Sequence, residues 1–416
     1  MNDYIVDSYY GLVYRADKAQ EAIKYKTDDS RYIRRNVRKV LAESNSDLID
    51  TIYIHPVGTK CLGNCVYCMN ESFNTTNYET LSMDRYAKTL DYLVKKNYVS
   101  NDLVNISLTG GEPILSTDIE DILDISIEKL SRVFSFTLTT GMYYPDNIFD
   151  RLYDTAKNVV KRDIYSSTLS FSADLDGSVN RHSIKLNMTN EYITNRLLAY
   201  LPKFSDIDKT VCAINIRLNN DSDLITLIDN IYRVFTISNK AIVRLAIIDG
   251  PDNYLAEDKI PMFFDELKKH FKLSFANKGS FTLEITDKNT NYDDTFNNLM
   301  LKTLEDGIFI VHPLDQPCWT WSKFFGIGPS KYFACYFGFI ESDNIDDLVV
   351  MNENNPFYNT YNLLGDGCDT CELLPFCKLC RRQRLLYPCT KIPALKEYMR
   401  QVYNIMISDP EKWCID

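Results

Sequence analysis

The sequence lacks the features of a membrane or secreted protein. It contains no apolar run of about 18 residues, which a membrane-spanning helix requires. The N-terminus, Met1-Asn-Asp-Tyr-Ile, lacks the charged and then apolar segments of a secretory signal peptide. We therefore expect a cytoplasmic protein, in which cysteines serve metal or redox chemistry more often than disulfides.

An excess of positive charge is also missing. Lys and Arg total 46 against 57 Asp and Glu, which gives a formal net charge of −11. Because nucleic-acid binding needs clustered positive charge, this balance argues against DNA or RNA as the main partner. The sequence shows no internal repeat or low-complexity segment. Its 416 residues are enough for about two or three globular domains.

Cysteine is plentiful, with 12 residues, and three of them follow the apolar run Ile52-Tyr53-Ile54 at CxxxCxxC spacing. These are Cys61, Cys65 and Cys68. Three thiolates suit a [4Fe-4S] cluster that keeps one iron open for a small-molecule ligand. A zinc site or buried free cysteines are the alternatives, although a zinc site usually has a fourth ligand nearby.

The CxxxCxYC pattern on a loop after a first strand resembles that of the radical S-adenosylmethionine (radical SAM) enzymes. The resemblance implies that the open iron binds SAM, that one electron cleaves it, and that the resulting 5′-deoxyadenosyl radical abstracts hydrogen from a substrate. It also implies that Tyr67 lies near the adenine. The second predicted strand ends in a Gly-Gly-Glu-Pro segment, as in these enzymes. By resemblance Gly110, Gly111 and Glu112 would bind the methionine amino group.

The end of the fourth predicted strand is similar to the S-x-D-G-x4-H segment of the same enzymes. Asp174 stands at the serine position, Asp176 at the aspartate position and His182 at the histidine position. The resemblance implies contacts from Asp174 and Asp176 to SAM, and the alternative is that both form a turn. The arginine of the family pattern is Leu186 here.

A second group of cysteines lies in the C-terminal quarter and resembles the SPASM extension of radical SAM enzymes. By that resemblance one auxiliary [4Fe-4S] cluster is held by Cys368, Cys371, Cys377 and Cys389. A second, inner cluster is held by Cys318, Cys335 and Cys380, and we expect it to be open or unusually ligated. A zinc ribbon is the alternative for this region. Cys212 lies on an apolar predicted strand, and we expect it to be a buried core thiol. We expect no metal-binding role for Cys414.

From residue 50 to about 250, predicted strands alternate with predicted helices, which indicates an α/β fold with a parallel sheet and an active site at the C-terminal strand ends. The resemblance sharpens this to a partial (β/α)6 TIM-like barrel followed by the cysteine-rich iron–sulfur SPASM domain. The predicted strands are 52–54, 103–108, 134–139, 168–172, 211–217 and 241–247. The predicted helices are 83–96, 119–130, 145–161, 191–201 and 221–235. The predicted segments are 1–48, N-terminal and helical, with a basic helix over 28–41; 49–250, the barrel; 251–317, a connector with a helix over 261–271 and a strand over 281–285; and 318–416, the SPASM domain.

These observations predict a radical SAM/SPASM enzyme that modifies a ribosomally made precursor peptide, installing a thioether or other crosslink. It would use SAM and three [4Fe-4S] clusters, with flavodoxin or ferredoxin as the reductant. The alternatives are formylglycine formation, as in anaerobic sulfatase-maturing enzymes, and maturation of a peptide-derived cofactor. Tyr336 disfavours the first, because those enzymes have an aspartate there. A zinc-ribbon binding protein is the non-enzymatic alternative, and the sequence names no general base.

Overall fold

The structure is a computed structural model, and the part of the chain that it describes covers several separate ranges. These are residues 4–7, 12–25, 48–63, 79–100, 104–142, 144–173, 175–176, 189–218, 222–238, 240–247, 256–278, 280–287, 301–305, 308–311, 324–334, 341–349, 396–398 and 400–401.

The chain forms two compact units. The first, here called the sheet unit, contains Ser46–Arg244 and Thr320–Pro356. The second unit contains Met1–Asn45, Leu245–Trp319 and Phe357–Asp416. The division of the chain into four consecutive segments stays a prediction.

Strands and helices alternate along the sheet unit as the sequence predicts. The described strands are, in chain order, β1 Tyr4–Asp7, β2 Leu12–Arg15, β3 Thr51–Ile54, β4 Val104–Leu108, β5 Val133–Gly141, β6 Ser166–Ser172, β7 Thr210–Leu218, β8 Ala241–Ile247, β9 Phe271–Lys278, β10 Ser280–Asp287, β11 Leu301–Glu305, β12 Ile308–Val311, β13 Phe324–Ile327, β14 Tyr332–Phe333 and β15 Glu341–Ser342. The described α-helices are α1 Ala19–Ala22, α2 Met83–Lys95, α3 Ile119–Lys129, α4 Asp146–Val159, α5 Asn190–Ser205, α6 Leu224–Ile237, α7 Lys259–His270 and α8 Asp346–Val349. Short 3-10 turns cover Ala16–Lys18, Ile23–Tyr25 and Pro113–Leu115.

Local sequence explains these elements. In β4 the apolar side chains are buried and the polar ones between them are half-buried, which is the two-residue period of a strand. In α6 the buried residues recur at helical spacing. The helix begins after Asp223, whose side chain accepts the backbone N–H groups of Ile225 and Thr226.

The sheet unit is built on a sheet that is parallel from β13 through β3 to β7, with β14 and β15 added in antiparallel pairs at the β13 side. Its strand order is β15-β14-β13-β3-β4-β5-β6-β7-β8. Strands β3 to β7 pair in parallel, each with the next one in the chain. The α/β fold with a parallel sheet, arranged as an open, partial barrel, is therefore confirmed. Strand β13 adds to the free side of β3, also in parallel, although it lies about 270 residues further along the chain.

The two faces of this sheet differ in polarity. The apolar residues of β4 and β5, such as Ile106 and Leu138, are fully buried. On the other face Ser107, Thr137 and Thr168 lie side by side in register and are half-buried. In a barrel-like sheet, such a face lines the interior.

The second unit contains antiparallel strands. Strands β1, β2, β12 and β11 form one sheet in that order, and β9 pairs with β10. The helix and strand predicted over 261–271 and 281–285 are confirmed as α7 and β10. The segment predicted to be helical, 1–48, opens with β1 and β2, while the helix predicted over 28–41 lies outside the described residues. In the C-terminal part, the Tyr398 hydroxyl donates to the Leu245 carbonyl at 3.0 Å.

No helix in the described ranges combines the length and the hydrophobicity needed to cross a membrane.

Candidate active site

Of the predicted site residues that the structure describes, Cys61 follows β3, the Gly-Gly-Glu segment at 110–112 follows β4, and Asp176 follows β6. Strands β3, β4 and β5 are in register, with Ile54 opposite Leu108 and Leu108 opposite Leu138. The segments that leave their C-terminal ends therefore start side by side. In parallel α/β folds this edge carries the active site.

The Gly-Gly-Glu segment after β4 is hydrogen-bonded to the chain that leads to Cys61. The Gly111 N–H donates to the Gly58 carbonyl at 2.8 Å, and the Glu112 N–H donates to the Lys60 carbonyl at 2.7 Å. A Cβ atom at Gly111 would lie 2.2 Å from the Lys60 carbonyl oxygen, and one at Gly110 would lie 2.9 Å from that of Gly58. Gly110 also has a φ of +98°. Both glycines are needed for this close approach of two backbone segments, and their contact with SAM stays a prediction.

The carboxyl group of Glu112 is buried between the ends of β4 and β5, with 1% of the residue exposed. It accepts the Gly141 N–H at 2.9 Å and the Ile114 N–H at 3.4 Å. Burial raises its pKa to about 8, although hydrogen bonds from Gly141, Thr140, Ile114 and Tyr144 act in the opposite direction. A cationic partner would stabilise the ionised form of this buried carboxyl group, which fits the predicted contact with an amino group.

Cys61 is buried, and its sulfur has polar neighbours. The Gly63 N–H donates to Sγ at 3.2 Å, and the Tyr144 hydroxyl lies 3.6 Å from it. Donors around a sulfur stabilise a thiolate, which is the form that binds iron, so Cys61 fits its predicted role. The other predicted members of the loop, Cys65, Tyr67 and Cys68, lie outside the described residues.

His55, which lies outside the motifs identified in the sequence, directly follows β3 and contacts an aromatic side chain from β14. Its ring stacks on Phe333, with centroids 4.6 Å apart. The Phe333 ring fits there because Gly326 and Gly328 lack side chains, and a Cβ on either would lie 2.4 to 2.5 Å from it. On the other side, a Cβ on Gly110 would lie 2.6 Å from His55 Cγ. Burial lowers the pKa of His55 to about 4, so its imidazole is neutral at pH 7.

Arg196 on α5 is a buried arginine that lies outside the motifs identified in the sequence. Its side chain is only 5% exposed and forms an ion pair with Asp146, the first residue of α4. Its guanidinium lies 4.6 Å from the Phe149 ring and 5.7 Å from the Tyr192 ring. Nε and Nη1 are buried and have no hydrogen-bond partner among the described residues. Such buried donors call for a partner that is absent from the described chain, and a carboxylate is the one that a guanidinium prefers.

The fourth strand of the predicted barrel, β6, brings Asp176 into the same unit. Asp176 is fully buried, its carboxylate accepts a hydrogen bond from the Ser222 hydroxyl, and its carbonyl accepts the Asp223 N–H at 2.7 Å. These bonds tie the end of β6 to the start of α6. Asp174 lies outside the described residues, and the SAM contacts of both aspartates stay predictions.

The auxiliary-cluster cysteines lie outside the described residues. They are Cys318, Cys335, Cys368, Cys371, Cys377, Cys380 and Cys389. Within the described ranges, no three His, Cys, Asp or Glu side chains come together in a way that would hold a metal ion. The described Cys212 is buried on β7, and burial raises the pKa of its thiol to about 12, as expected of a core cysteine.

Comparison with known proteins agrees with this geometry. Residues 55–184, which include the CxxxCxxC loop and the Gly-Gly-Glu segment, match the Radical SAM superfamily. No curated protein sequence is significantly similar to the chain.

Solved structures share the fold at low sequence identity. Native anSMEcpe with bound AdoMet is 14% identical, with a TM-score of 0.55, over 87% of this chain and 99% of that one. A hexahistidine-tagged form of the same protein with bound AdoMet is 13% identical, with a TM-score of 0.55, over 88% of this chain and 96% of that one. Streptococcus suis SuiB, bound to its precursor peptide SuiA, is 12% identical, with a TM-score of 0.49, over 90% of this chain and 93% of that one. At this identity the anSMEcpe structures show a shared fold, and the link to the Radical SAM superfamily rests on the match of residues 55–184.

Proposed function

We propose that this protein is a radical SAM enzyme that acts on a ribosomally made precursor peptide and installs a thioether or another crosslink. The observation that carries the radical SAM part is the position of Cys61 and Glu112. Both are buried at the same end of the parallel sheet, and both contact the Tyr144 hydroxyl. A thiolate ligand for iron and a carboxylate for a cation are thus held side by side.

In this proposal Cys61, Cys65 and Cys68 hold the cluster that binds SAM. When bound, the cluster and SAM supply a one-electron cleavage of the sulfonium and the abstraction of a hydrogen atom from the substrate. Glu112, with the backbone of the two preceding glycines, holds the methionine amino group. Arg196 is the residue that we assign to the methionine carboxylate, because its buried Nε and Nη1 lack partners in the described chain and Leu186 stands where the family pattern has arginine.

The C-terminal cysteines support the peptide-modifying part of the proposal. Seven cysteines between Cys318 and Cys389 exceed what a reduced cytoplasmic protein needs for packing. As ligands of two auxiliary clusters they would take up the electron that remains on the substrate after hydrogen abstraction. The basic residues Lys378, Arg381, Arg382 and Arg384 lie among them in the sequence, where they would balance cluster charge or receive an acidic reductant such as flavodoxin.

The test of the cofactors is anaerobic reconstitution, followed by iron and sulfide analysis and by addition of SAM and dithionite. Three [4Fe-4S] clusters correspond to about twelve irons per chain. Cys61→Ala should lose about four of them and all release of 5′-deoxyadenosine. Cys212→Ala, at a buried cysteine that we do not assign to a cluster, is the matched control and should keep both.

Two results would contradict parts of the proposal. About four irons per chain in the wild type would contradict the prediction of two auxiliary clusters. Zinc in place of iron, with no deoxyadenosine, would remove the radical SAM function.

The substrate class is tested with the peptide encoded by a short reading frame beside the gene. Incubation with enzyme, SAM and dithionite should remove two hydrogen atoms from that peptide. Mass spectrometry should show this loss of mass and a crosslinked fragment. An uncrosslinked aldehyde at a Cys or Ser side chain would instead indicate formylglycine formation. If SAM is cleaved and the peptide stays unchanged, this peptide is not the substrate.

A further inference from the structure

Tyr144 occupies a position between the cluster loop and the Gly-Gly-Glu segment. It lies three residues after the end of β5 and is completely buried. A buried phenol hydroxyl normally has a hydrogen-bond partner, and this one has several.

The Tyr144 oxygen is bonded on two sides. The Leu62 N–H donates to it at 3.1 Å, so the oxygen acts as an acceptor toward the cluster loop. The same hydroxyl lies 3.6 Å from Cys61 Sγ, where either atom can be the donor, and it is also within hydrogen-bonding reach of the carboxyl group of Glu112. A single hydroxyl group thus connects a predicted cluster ligand with the predicted ligand of the SAM amino group.

A donor at this position has a defined effect on a bound cluster. Hydrogen bonds to the sulfur ligands of an iron–sulfur cluster stabilise its more reduced, more negative form and raise its reduction potential. The Gly63 N–H already donates to the same sulfur at 3.2 Å. A cysteine bound to iron is a thiolate that can only accept, so the Tyr144 O–H would then be a second donor, and a side-chain substitution removes it.

We propose that Tyr144 is a positioning residue that fixes Cys61 and Glu112 relative to each other and raises the reduction potential of the cluster bound through Cys61. This inference rests on the proposed function, because it requires a cluster at that cysteine. The residue acts through Cys61 and is not assigned any contact with SAM or substrate.

Redox titration of the reconstituted cluster, followed by electron paramagnetic resonance, tests the inference. Tyr144→Phe keeps the ring and removes the hydroxyl. The equilibrium constant for cluster reduction should fall about tenfold, which is about 59 mV for one electron. Tyr86→Phe is the matched control, because Tyr86 is equally buried but its hydroxyl bonds to Ser126, at 2.7 Å. It should leave the potential unchanged.

A second variant covers the case in which Tyr144→Phe fails to fold or to hold a cluster. Incorporation of 3-fluorotyrosine at position 144 keeps the shape and makes the O–H a stronger donor, so the potential should rise. A wild-type potential in this variant, or in a Tyr144→Phe protein that retains its cluster, would overturn the inference and leave the proposed function standing. Absence of any cluster at Cys61 in the wild type would contradict both the inference about Tyr144 and the proposed function.

Discussion

The Gly141 N–H donates to the Glu112 carboxyl group at 2.9 Å and thereby joins the end of β5 to the segment that follows β4. Because this carboxyl group is buried, its pKa lies at about 8 and well above the ordinary 4.5. The protein therefore folds with a group that prefers to be neutral unless a cation is bound beside it.

Glu112 should make the protein without cofactors less stable as the pH rises. Between pH 4.5 and about 8 the folded state binds more protons at Glu112 than the unfolded chain does, so the free energy of unfolding falls with rising pH. The slope is up to about 1.4 kcal/mol per pH unit. Glu112→Gln should reduce this dependence of the free energy of unfolding on pH, as measured by urea unfolding between about pH 5 and 9. An unchanged slope in the variant would contradict the assignment.

His55 should make the protein less stable as the pH falls. Burial lowers its pKa from 6.5 to about 4, so between these values the unfolded chain binds more protons and stability falls as the pH falls. His55→Asn should reduce this acid loss while lowering stability overall, because the stacking on Phe333 is lost. Glu112→Gln is the control, since it removes the opposing effect of Glu112 and should keep the fall that His55 causes between pH 6.5 and about 4. The prediction fails if His55→Asn and the wild type lose stability in parallel in that range.

Gly111→Ala should destabilise the fold strongly. The added Cβ would meet Lys60 backbone atoms at 2.2 and 2.7 Å, which no side-chain movement relieves, so we expect a cost of about 3 kcal/mol or more. Gly58→Ala is the control, because its Cβ would meet its nearest neighbour, the Glu79 carbonyl oxygen, at 3.3 Å. Its φ of +56° alone costs about 1 to 2 kcal/mol. Equal midpoints in chemical denaturation would contradict this ranking.

Arg196→Gln should weaken SAM binding to the reconstituted protein. Loss of a charge-assisted hydrogen bond of about 1.5 to 3 kcal/mol corresponds to about a tenfold or greater rise in Kd. Arg162→Gln is the matched control, since Arg162 is already paired with Glu120 and Asp124 and should leave the Kd unchanged. Isothermal titration calorimetry under anaerobic conditions gives both values. Equal affinities for Arg196→Gln and the wild type would remove Arg196 from the site.

Much of the fold was predictable because it follows from local patterns. The run of strand and helix from β3 to α6 appears as apolar residues at spacings of two or of three to four, and the structure places each element within a few residues of its predicted bounds. By contrast, β13 pairs with β3 across a long stretch of chain, and no local pattern in Phe324–Ile327 indicates that pairing.

The sequence motifs predict ligands for the candidate site and do not identify the side chains that contact them. Cys61 and Glu112 belong to spaced motifs and were identified from the sequence. Tyr144 and Arg196 belong to none. The signal available for Tyr144 was an aromatic residue shortly after the Thr-Gly end of β5, which becomes meaningful only once its hydroxyl is seen against Cys61, 83 residues away in the chain.

The sequence by itself determined the α/β fold of the sheet unit and the motif that marks residues 55–184 as a radical SAM domain. Both depend on the periodicity and spacing of residues close together in the chain. Only the tertiary structure decided why Gly111 cannot carry a side chain, which hydroxyl links Cys61 to Glu112, and which two nitrogens of the buried Arg196 lack hydrogen-bond partners in the described chain. Those facts depend on distances between segments far apart in sequence, which packing and hydrogen bonding set only when the strands come together.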